Sequence, residues 1–443
     1  MKGKETTSIH DYSVERVPEA HRTWHWMSVS NVLVGIATAM FFMAWGGELS
    51  QKYGVTVTIA AMIVGTVVIG FAAYLFSVLG ARHGLSSNLL CRELYGRYGS
   101  AVATFIYAFN YLMFFAFEGA IVLTALTSYF HPFPTIYIYT IFTVIMILLA
   151  IYGMKFMTVF MWISLPIYIA GLVLLFIWTP KLGSLPVGAW ATSGHGFAFG
   201  SFGAAFATVF ALISEATQGA DIGRMIRAGD VQKGSLMLGF GTMFITFCIV
   251  TLLGSYVGVS LGETNPGKYF LAGVGAFGVF VVFITQIRIN VVNMYSGSLA
   301  YSNSLRMINL FGRTWIRPAC AAVVAIAGMF LIISGIFDHM LQVLTLEGMF
   351  IMSWGASIIS YYYFAVPHRS DEPTIKVKKL RPFEPIGVIA LVISLAISLP
   401  LEFGVAGHLL HLLAPYINVV VALVLPWVLH RYVPVLRPVE RMA

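Results

Sequence analysis

Residues 56–80 read TVTIAAMIVGTVVIGFAAYLFSVLG, a run of apolar and small residues without one charged side chain. A helix of about 20 such residues crosses the ~30 Å hydrocarbon core of a bilayer. Similar runs recur along the chain, which is 59% hydrophobic and only 10% charged. Soluble domains usually carry about 25% charged residues. The composition therefore excludes a soluble fold and predicts a membrane-embedded bundle of helices, because lipid offers no partner to unpaired backbone groups.

Twelve transmembrane helices are predicted. A transmembrane β-barrel would need short segments of alternating polarity, and that pattern is absent. We number the helices span 1 to span 12 in chain order, over residues 28–49, 56–80, 100–128, 134–153, 156–178, 199–222, 234–258, 270–300, 316–335, 340–365, 383–402 and 408–430.

Basic residues accumulate on one side of the predicted bundle. The other side carries little more than Lys52, Lys181 and Lys268. The positive-inside rule then places both termini in the cytoplasm, in a multi-pass protein of the cytoplasmic (inner) membrane. The net charge of +8 follows from this asymmetry, so no nucleic-acid partner is expected. The basic side carries Lys2, Lys4, Arg16, Arg22, Arg82, Arg92, Arg97, Lys155, Arg224, Arg227, Lys233, Arg306, Arg313, Arg317, Arg369, Lys376, Lys378, Lys379, Arg381, Arg431, Arg437 and Arg441.

Two spans carry features of interrupted helices. Span 1 contains Gly46 and Gly47 after an aromatic run, and span 6 follows Gly196, contains two further glycines and is interrupted by the polar stretch from Ser214 to Asp221. Interrupted helices at matching positions of two halves point to the binding site of a transporter. The predicted N-terminal segment, 1–27, is cytoplasmic and lacks the apolar region of a signal peptide. Two five-helix repeats follow, over 28–178 and 199–366. A cytoplasmic linker (367–382), spans 11 and 12 (383–430) and a cytoplasmic tail (431–443) complete the chain.

Ionisable residues inside the spans need a reason, because each costs several kcal/mol in the bilayer. Glu118, Glu215, Asp221 and Arg288 are the candidates. Glu215 is either part of a site or the partner of Arg288 in a buried ion pair. Asp221 precedes two arginines, which favours a structural ion pair at the membrane surface.

Span 3 carries the most informative pattern. Phe114, Phe117 and Glu118 follow at i, i+3 and i+4, on one helix face. A carboxylate framed by aromatic rings can bind the N–H edge of a flat heterocycle that stacks on those rings. The alternative is that the rings only pack and that Glu118 pairs with a basic or hydroxyl group.

Span 8 carries a polar stripe. Gln286, Asn290, Asn293 and Gly297 are spaced by four, three and four residues. Amides offer both donors and acceptors, as the edge of a nucleobase requires. Contacts between helices explain such a stripe equally well.

The chain is similar to the nucleobase–cation symporter family 1, whose members include cytosine, purine, uracil, allantoin and hydantoin permeases. The resemblance covers nearly the whole chain. It rests on the aromatic-rich span 3 and, in order, on DYSVERVPEAHRTW (11–24), GIATAMFFMAWGGEL (35–49), GARHGLSSNLLCRELYGRYGS (80–100), GADIGRMIR (219–227) and NVVNMYSGSLAYSN (290–303).

The resemblance implies a leucine-transporter-like fold of two inverted five-helix repeats plus two helices. It also implies a heterocycle held between aromatic residues of spans 3 and 6, with amides from spans 3 and 8. Phe114 matches the stacking aromatic of span 3, and Leu212 departs from the aromatic of span 6. The remaining matches are the polar ligand Glu118, nearby Ser214, the amide Asn290 with Asn293 close by, and Thr38 in span 1.

The resemblance also bears on the coupling ion. Sodium-coupled relatives place two adjacent hydroxyl residues just before the span 8 asparagine, where this chain has Arg288 and Ile289. A guanidinium carries only donors, so it cannot ligate a cation. We therefore predict sodium-independent transport in which Arg288 occupies the place of Na⁺ and Glu118 or Glu215 carries a proton.

The prediction for function is a monomeric permease that imports a nucleobase or a similar flat heterocycle by alternating access. A transporter of cationic amines or amidines, with Glu118 and Glu215 as ligands, is the alternative. A transporter-like sensor, a channel or a membrane enzyme is less well supported. The sequence shows no metal-ligand spacing, no Walker A lysine and no disulfide framework among its three cysteines, so neither an enzyme nor a cofactor is expected.

Overall fold

A computed structural model describes residues 15–29, 39–152, 154–183, 185–308, 316–367, 373, 375–376 and 379–436, with the backbone alone at 151–152, 154–159 and 161–162. Within these ranges the chain is helical, and one isolated bridge joins Trp24 to Ile226. Ten of the described helices are long and apolar enough to cross a membrane. The predicted all-helical membrane fold is confirmed.

A helix lies at each of the twelve predicted positions. Span 1 is represented by its second half, because residues 30–38 lie outside the described ranges. In order, the helices are Phe41–Tyr53, Val55–His83, Ser87–Tyr129, Thr135–Tyr152, Met154–Leu182, the pair Phe199–Ala211 and Ile213–Gly223, Val231–Leu236 continuing through π-helical turns into Leu252–Leu261, Pro266–Met307, Ile316–Ile333, Met340–Ser360, Pro385–Glu402 and His408–Tyr432.

The outside of the bundle is apolar. Side chains such as Phe71, Phe105, Ile136, Val323 and Phe330 are more than half exposed. Soluble monomers rarely expose large contiguous apolar patches, whereas lipid solvates such surfaces. The distribution agrees with a bundle whose outer face contacts lipid tails and whose polar residues face inward.

Span 6 is interrupted at Leu212, one residue after its first helix ends. The polar stretch from Ser214 to Asp221, predicted as the interruption, is helical instead. The break frees the carbonyl of Ala211, which accepts a hydrogen bond from the hydroxyl of Ser214 at 3.2 Å. The polar residues therefore follow the break and form the first turns of a new helix.

Gly46 and Gly47 do not interrupt span 1, contrary to the prediction. Both lie inside the helix Phe41–Tyr53, where they allow close contact with span 7. A Cβ atom on Gly46 would lie 2.0 Å from the carbonyl oxygen of Thr251. Small residues at such crossings let membrane helices approach closely.

Gly46→Ala is expected to destabilise the protein, because the clash is with backbone and cannot be relieved by a side-chain rotation. Overpacking typically costs about 1–3 kcal/mol. The melting temperature in detergent should fall clearly for Gly46→Ala and stay level for Gly200→Ala, since a Cβ on Gly200 meets nothing within 4 Å. Equal melting temperatures for the two variants would contradict the packing described here.

Spans 3 and 8 share an unusual geometry. Each is a long helix that bends at a glycine nine residues after its first residue, Gly96 after Ser87 and Gly275 after Pro266. The φ angles of these glycines are +74° and +63°, a region that glycine adopts at no steric cost. The same device thus appears in the third span of each predicted repeat.

The predicted linker contacts the bend of span 3. The bend leaves backbone N–H groups of span 3 without helical partners, and carbonyl groups of the linker accept their hydrogen bonds. The N–H groups of Arg97 and Tyr98 donate to the carbonyls of Arg381 and Pro382, both at 2.8 Å. The segment between spans 10 and 11 is therefore fixed to the bundle at this end.

Candidate functional site

A small cavity of about 20 Å³ lies where spans 1, 3, 6 and 8 meet, which is room for about one water molecule. The described helix of span 1 begins here at Phe41, and the second helix of span 6 begins at Ile213. Helix N-termini expose unpaired N–H groups and favour negative charge. The cavity is lined by Ala39, Phe42, Tyr111, Phe114, Glu118, Glu215, Gln218, Ile289, Val292 and Asn293.

Span 3 contributes one face of its helix to this cavity. Tyr111, Phe114 and Glu118 follow at i, i+3 and i+7, so their side chains point the same way. Phe117 was predicted to share this face but is fully buried against Phe41, with ring centroids 5.6 Å apart. Phe41 also contacts Phe114 edge-on at 5.0 Å, which fixes the ring that lines the cavity.

Glu118 caps the helix of span 1. Its Oε2 atom accepts the backbone N–H of Phe41 at 3.2 Å, which is one of the N–H groups that the helix start leaves unpaired. Its Oε1 atom has no hydrogen-bond partner among the described residues. One oxygen is thus used to position the carboxylate, while the other is buried and can accept from a ligand or from the nearby amide of Gln286.

Span 6 contributes a carboxylate and an amide. The Nε2 group of Gln218 donates to Oε2 of Glu215 at 2.8 Å, and both side chains line the cavity. Leu212 and Ser214, predicted from the resemblance, are buried at the helix break and do not line it. Ser214 uses its hydroxyl to satisfy the broken helix, so its role as a ligand stays a prediction.

Span 8 presents Asn293 to the cavity, while Asn290 lies behind the lining. Asn290 is fully buried, and neither polar atom of its amide has a partner among the described residues. Gln286 is also fully buried, and its amide faces the carboxylate of Glu118. A buried polar group without a partner costs about 1–3 kcal/mol, so such a group calls for an explanation such as a ligand or water.

Arg288 lies beside the cavity rather than in its lining. It is 2% exposed and donates from Nη1 to the hydroxyl of Ser164 on span 5 at 3.1 Å. Glu118 and Tyr168 are the acidic groups that its charge faces. The pairing of Arg288 with Glu215 is not observed among the described contacts, since Glu215 is bonded to Gln218 instead.

The charge of Arg224 faces the carboxylate of Asp221, as predicted, but the hydrogen bonds of that carboxylate go to span 3. Its carboxylate accepts the N–H of Ser87 at 2.8 Å and the hydroxyl of Tyr107 at 3.3 Å, both on span 3. Arg224 donates to the backbone carbonyl of Asp221, and Arg227 pairs with Asp230. Span 3 lies close to Asp221 and supplies both hydrogen bonds to its carboxylate.

Glu347 was missed by the sequence analysis. It lies on span 10, is buried, and accepts a hydrogen bond from the amide of Asn110 on span 3 at 2.6 Å. Its other carboxylate oxygen has no partner among the described residues. The signal was present, because Glu347 is the one charged residue in the apolar run 340–365. Tyr111 was missed as well, although it extends the face of Phe114 and Glu118 by one turn.

Thr38, the remaining predicted site residue, lies outside the described residues. Within the described part of the chain, no group of three His, Cys, Asp or Glu side chains could hold a metal ion. The cysteines Cys91, Cys248 and Cys320 are free.

Sequence comparison finds one family over most of the chain. The family model described as permease for cytosine/purines, uracil, thiamine, allantoin matches residues 16–374. Among curated proteins, YxlA of Bacillus subtilis (strain 168), named as a candidate purine-cytosine permease, is 23% identical over 366 residues. The match covers 77% of this chain and 77% of the relative.

Solved structures with a similar fold include two of Mhp1. The inward-facing conformation of Mhp1 has a TM-score of 0.75 at 17% identity and covers 95% of this chain and 93% of that chain. A closed conformation with bromovinylhydantoin bound has a TM-score of 0.69 at 17% identity, with 96% and 94% covered. A Na⁺-coupled sialic acid symporter has a TM-score of 0.61 at 11% identity, with 96% and 93% covered. The predicted leucine-transporter-like fold is confirmed by these likenesses.

Proposed function

Because the chain belongs to the family of permeases for cytosine/purines, uracil, thiamine and allantoin, we propose that it imports a nucleobase or a related flat nitrogen heterocycle through the cavity between spans 1, 3, 6 and 8. One observation carries the proposal. An acid with an open oxygen, two amides and several aromatic rings share one small cavity inside the bundle. Mhp1, which shares the fold, is described with bromovinylhydantoin bound, and hydantoins are flat heterocycles.

The proposed mode of binding uses one face of the ring system and its edge. The face stacks on Phe114 or Phe42, and aromatic pairs of this kind are worth about 0.5–1.5 kcal/mol beyond their burial. A ring N–H donates to Oε1 of Glu118, while the amides of Gln218 and Asn293 bind the remaining donors and acceptors of the edge. An amide can bind either a donor or an acceptor of the ring. Only a few contacts in the cavity therefore distinguish one heterocycle from another.

Alternating access is proposed to expose this cavity to each side of the membrane in turn. The two repeats would cover residues 28–178 and 199–366, and the matching bends at Gly96 and Gly275 support them. On the outer side, the indole N–H of Trp45 donates to Thr208 at 3.1 Å and so joins spans 1 and 6. Opening toward the outside would require this hydrogen bond to break.

Transport is proposed to be sodium-independent and coupled to protons. Arg288 supplies a fixed positive charge beside Glu118, and its guanidinium donates a hydrogen bond to the hydroxyl oxygen of Ser164. A guanidinium here would repel a bound cation and neutralise part of the negative charge that a bound Na⁺ would neutralise. Glu118 and Glu215, both in the cavity, are the proposed proton carriers.

A cationic substrate is the second candidate. Two carboxyl groups line the cavity, and no basic residue stands among its described lining residues. An amine or amidine would bind between Glu118 and Glu215 as a charge-assisted hydrogen-bonding partner. Competition by neutral nucleobases and by cations for the same uptake separates the two candidates.

The proposed setting is the cytoplasmic membrane, with both termini inside and one chain as the functional unit. Basic residues in the last turns of described helices, such as Arg82, Arg306 and Arg431, lie on the side that the sequence assigns to the cytoplasm. A polytopic permease of this kind needs no catalytic group of its own.

Uptake into proteoliposomes tests the proposed function. The purified protein is supplied with a panel of labelled purines, pyrimidines, hydantoins and cationic heterocycles, under an imposed pH gradient and an imposed Na⁺ gradient separately. We expect uptake of at least one neutral heterocycle, driven by the pH gradient. Uptake confined to cations would favour the second candidate, and no uptake of any heterocycle would refute both.

Asn293→Ala is expected to reduce the affinity for the transported heterocycle about 2- to 10-fold. One hydrogen bond between neutral groups contributes about 0.5–1.5 kcal/mol. Asn303→Ala, on the same helix but outside the cavity lining, is the control and should leave the apparent KM unchanged. Equal KM values for both variants would remove Asn293 from the site.

A further inference from the structure

A row of hydrogen-bonded side chains leads out of the cavity. Tyr111 lines the cavity, and its hydroxyl oxygen lies 2.7 Å from that of Tyr107, one helical turn earlier on span 3. Tyr107 then donates to Oδ2 of Asp221 on span 6 at 3.3 Å. Three side chains thus connect the cavity with a carboxylate two residues before the end of span 6 at Gly223.

Neighbouring helices hold this row in place. The ring of Tyr107 packs on Trp354 of span 10, with centroids 4.8 Å apart, and both side chains are buried. The other oxygen of Asp221 accepts the N–H of Ser87 at the start of span 3. A buried polar row of this kind is expected to be rigid, because both tyrosine hydroxyls and both oxygens of Asp221 are hydrogen-bonded.

Asp221 lies at the end of the row that faces the basic side of the bundle. Its residue is partly exposed, whereas both tyrosines are buried. Among the described residues, the titratable groups around it are Arg224 on its own helix and Cys91, Tyr107 and Tyr111 on span 3. Span 2, which also packs on this helix, presents small residues and a serine. The partial exposure of Asp221 makes it the member of the row that lies nearest to water on the basic side.

We propose that Tyr111, Tyr107 and Asp221 form the route by which the coupled proton leaves the cavity for the cytoplasm. This inference rests on the proton coupling proposed above. A proton from the carboxyl group of Glu215 passes to the hydroxyl oxygen of Tyr111, which gives its own proton to Tyr107. Tyr107 in turn protonates the carboxylate of Asp221, which releases a proton to water. Each tyrosine gains one proton and loses one, so each ends neutral while one proton, and its positive charge, crosses the row from Glu215 to water.

The hydrogen bond between Tyr107 and Asp221 also makes the route depend on the conformation of the protein. At 3.3 Å it is the longer of the two hydrogen bonds in the row, and it joins span 3 to span 6, while hydroxyl hydrogen bonds are shortest and strongest near 2.7–2.8 Å. A movement of span 6 relative to span 3 would break it first. The route is therefore open only in conformations that hold spans 3 and 6 together. Coupling of proton movement to heterocycle transport requires that protons cross in some conformations and not in others.

Tyr107→Phe tests the route, because it removes one hydroxyl and keeps the ring that packs on Trp354. The protein is reconstituted with a pH-sensitive dye inside the liposomes and a membrane potential set by K⁺ and valinomycin. Proton flux is measured with and without the heterocycle that gives the highest uptake, and counterflow exchange of that heterocycle is measured alongside. We expect the proton flux to fall at least 10-fold while exchange stays within about 3-fold of wild type. Asp221→Asn should behave in the same way.

Tyr95→Phe is the matched control. Tyr95 is a buried tyrosine of the same helix whose hydroxyl lies outside the row, near the carbonyl of Trp354, so its variant should keep both activities. Unchanged proton flux in Tyr107→Phe would overturn the route. A wild-type protein that exchanges a heterocycle but moves no proton would also overturn it and leave heterocycle transport standing. Proton flux without heterocycle exchange would refute the proposed substrate, and the comparison of Tyr107→Phe with Tyr95→Phe would still decide the route.

Discussion

Glu118→Gln is expected to reduce heterocycle uptake about 10- to 100-fold. The variant keeps an oxygen that can accept the N–H of Phe41, so the start of the span 1 helix stays capped. It loses the negative charge that is proposed to bind the ring N–H, and hydrogen bonds to charged groups contribute about 1.5–3 kcal/mol. The measurement is the initial rate of uptake at several substrate concentrations, compared at equal amounts of reconstituted protein.

Glu347→Gln is the matched control for that experiment. Glu347 is also a buried glutamate with one bonded and one unpaired oxygen, but it contacts Asn110 away from the cavity lining. Its variant should retain the wild-type KM. A loss of affinity in Glu347→Gln that equals the loss in Glu118→Gln would mean that buried charge in general, and not the cavity, explains the effect.

Arg288→Ala is expected to lower uptake at least 10-fold. Removal of the guanidinium leaves Glu118 without the positive charge beside it, and breaking a buried charge pair by deleting one partner typically costs about 3–5 kcal/mol. It also removes the donor to Ser164, which joins spans 5 and 8. Arg288→Lys should retain more activity, because it keeps the charge and loses only the planar geometry.

The same experiment tests the coupling ion. Wild-type uptake should be unchanged when Na⁺ is replaced by choline and should collapse when a protonophore removes the pH gradient. Arg306→Ala, an exposed arginine at the far end of span 8, is the control for the loss of a positive charge. Uptake by Arg288→Ala at the wild-type rate, or a requirement of the wild type for Na⁺, would contradict the assignment of Arg288.

The fold could be predicted because its physical cause is local. Each span is an apolar run long enough to cross the bilayer, so composition alone locates it to within a few residues at most ends. The long spans were the exception. The helix Ser87–Tyr129 extends well before the predicted start at residue 100, since its first part carries charged residues that place it outside the apolar run although most of it is buried.

The glycines of span 1 show where local reasoning failed. A glycine inside a helix either marks a break or allows another helix to approach, and both uses look the same in the sequence. Gly46 allows another helix to approach, because Thr251 of span 7 lies opposite it. The position of span 7 cannot be read from the residues around Gly46. The break of span 6 falls at Leu212, which no glycine or proline marks.

The candidate site was predicted in part. Helical spacing correctly paired Phe114 with Glu118, since residues four apart share a face. It could not decide whether Phe117 or Tyr111 completes that face, because the rotation of span 3 toward its neighbours is set by packing. The partner of Asp221 escaped prediction for the same reason, since Tyr107 is 114 residues away along the chain.

A structure determined with the best transported heterocycle bound tests the central claim most directly. We predict that the ring lies among spans 1, 3, 6 and 8, stacked on Phe114, with a ring nitrogen about 2.7–3.2 Å from Oε1 of Glu118. A heterocycle bound elsewhere, with both oxygens of Glu118 engaged by neighbouring helices and Asn293 turned away from the ligand, would contradict this account.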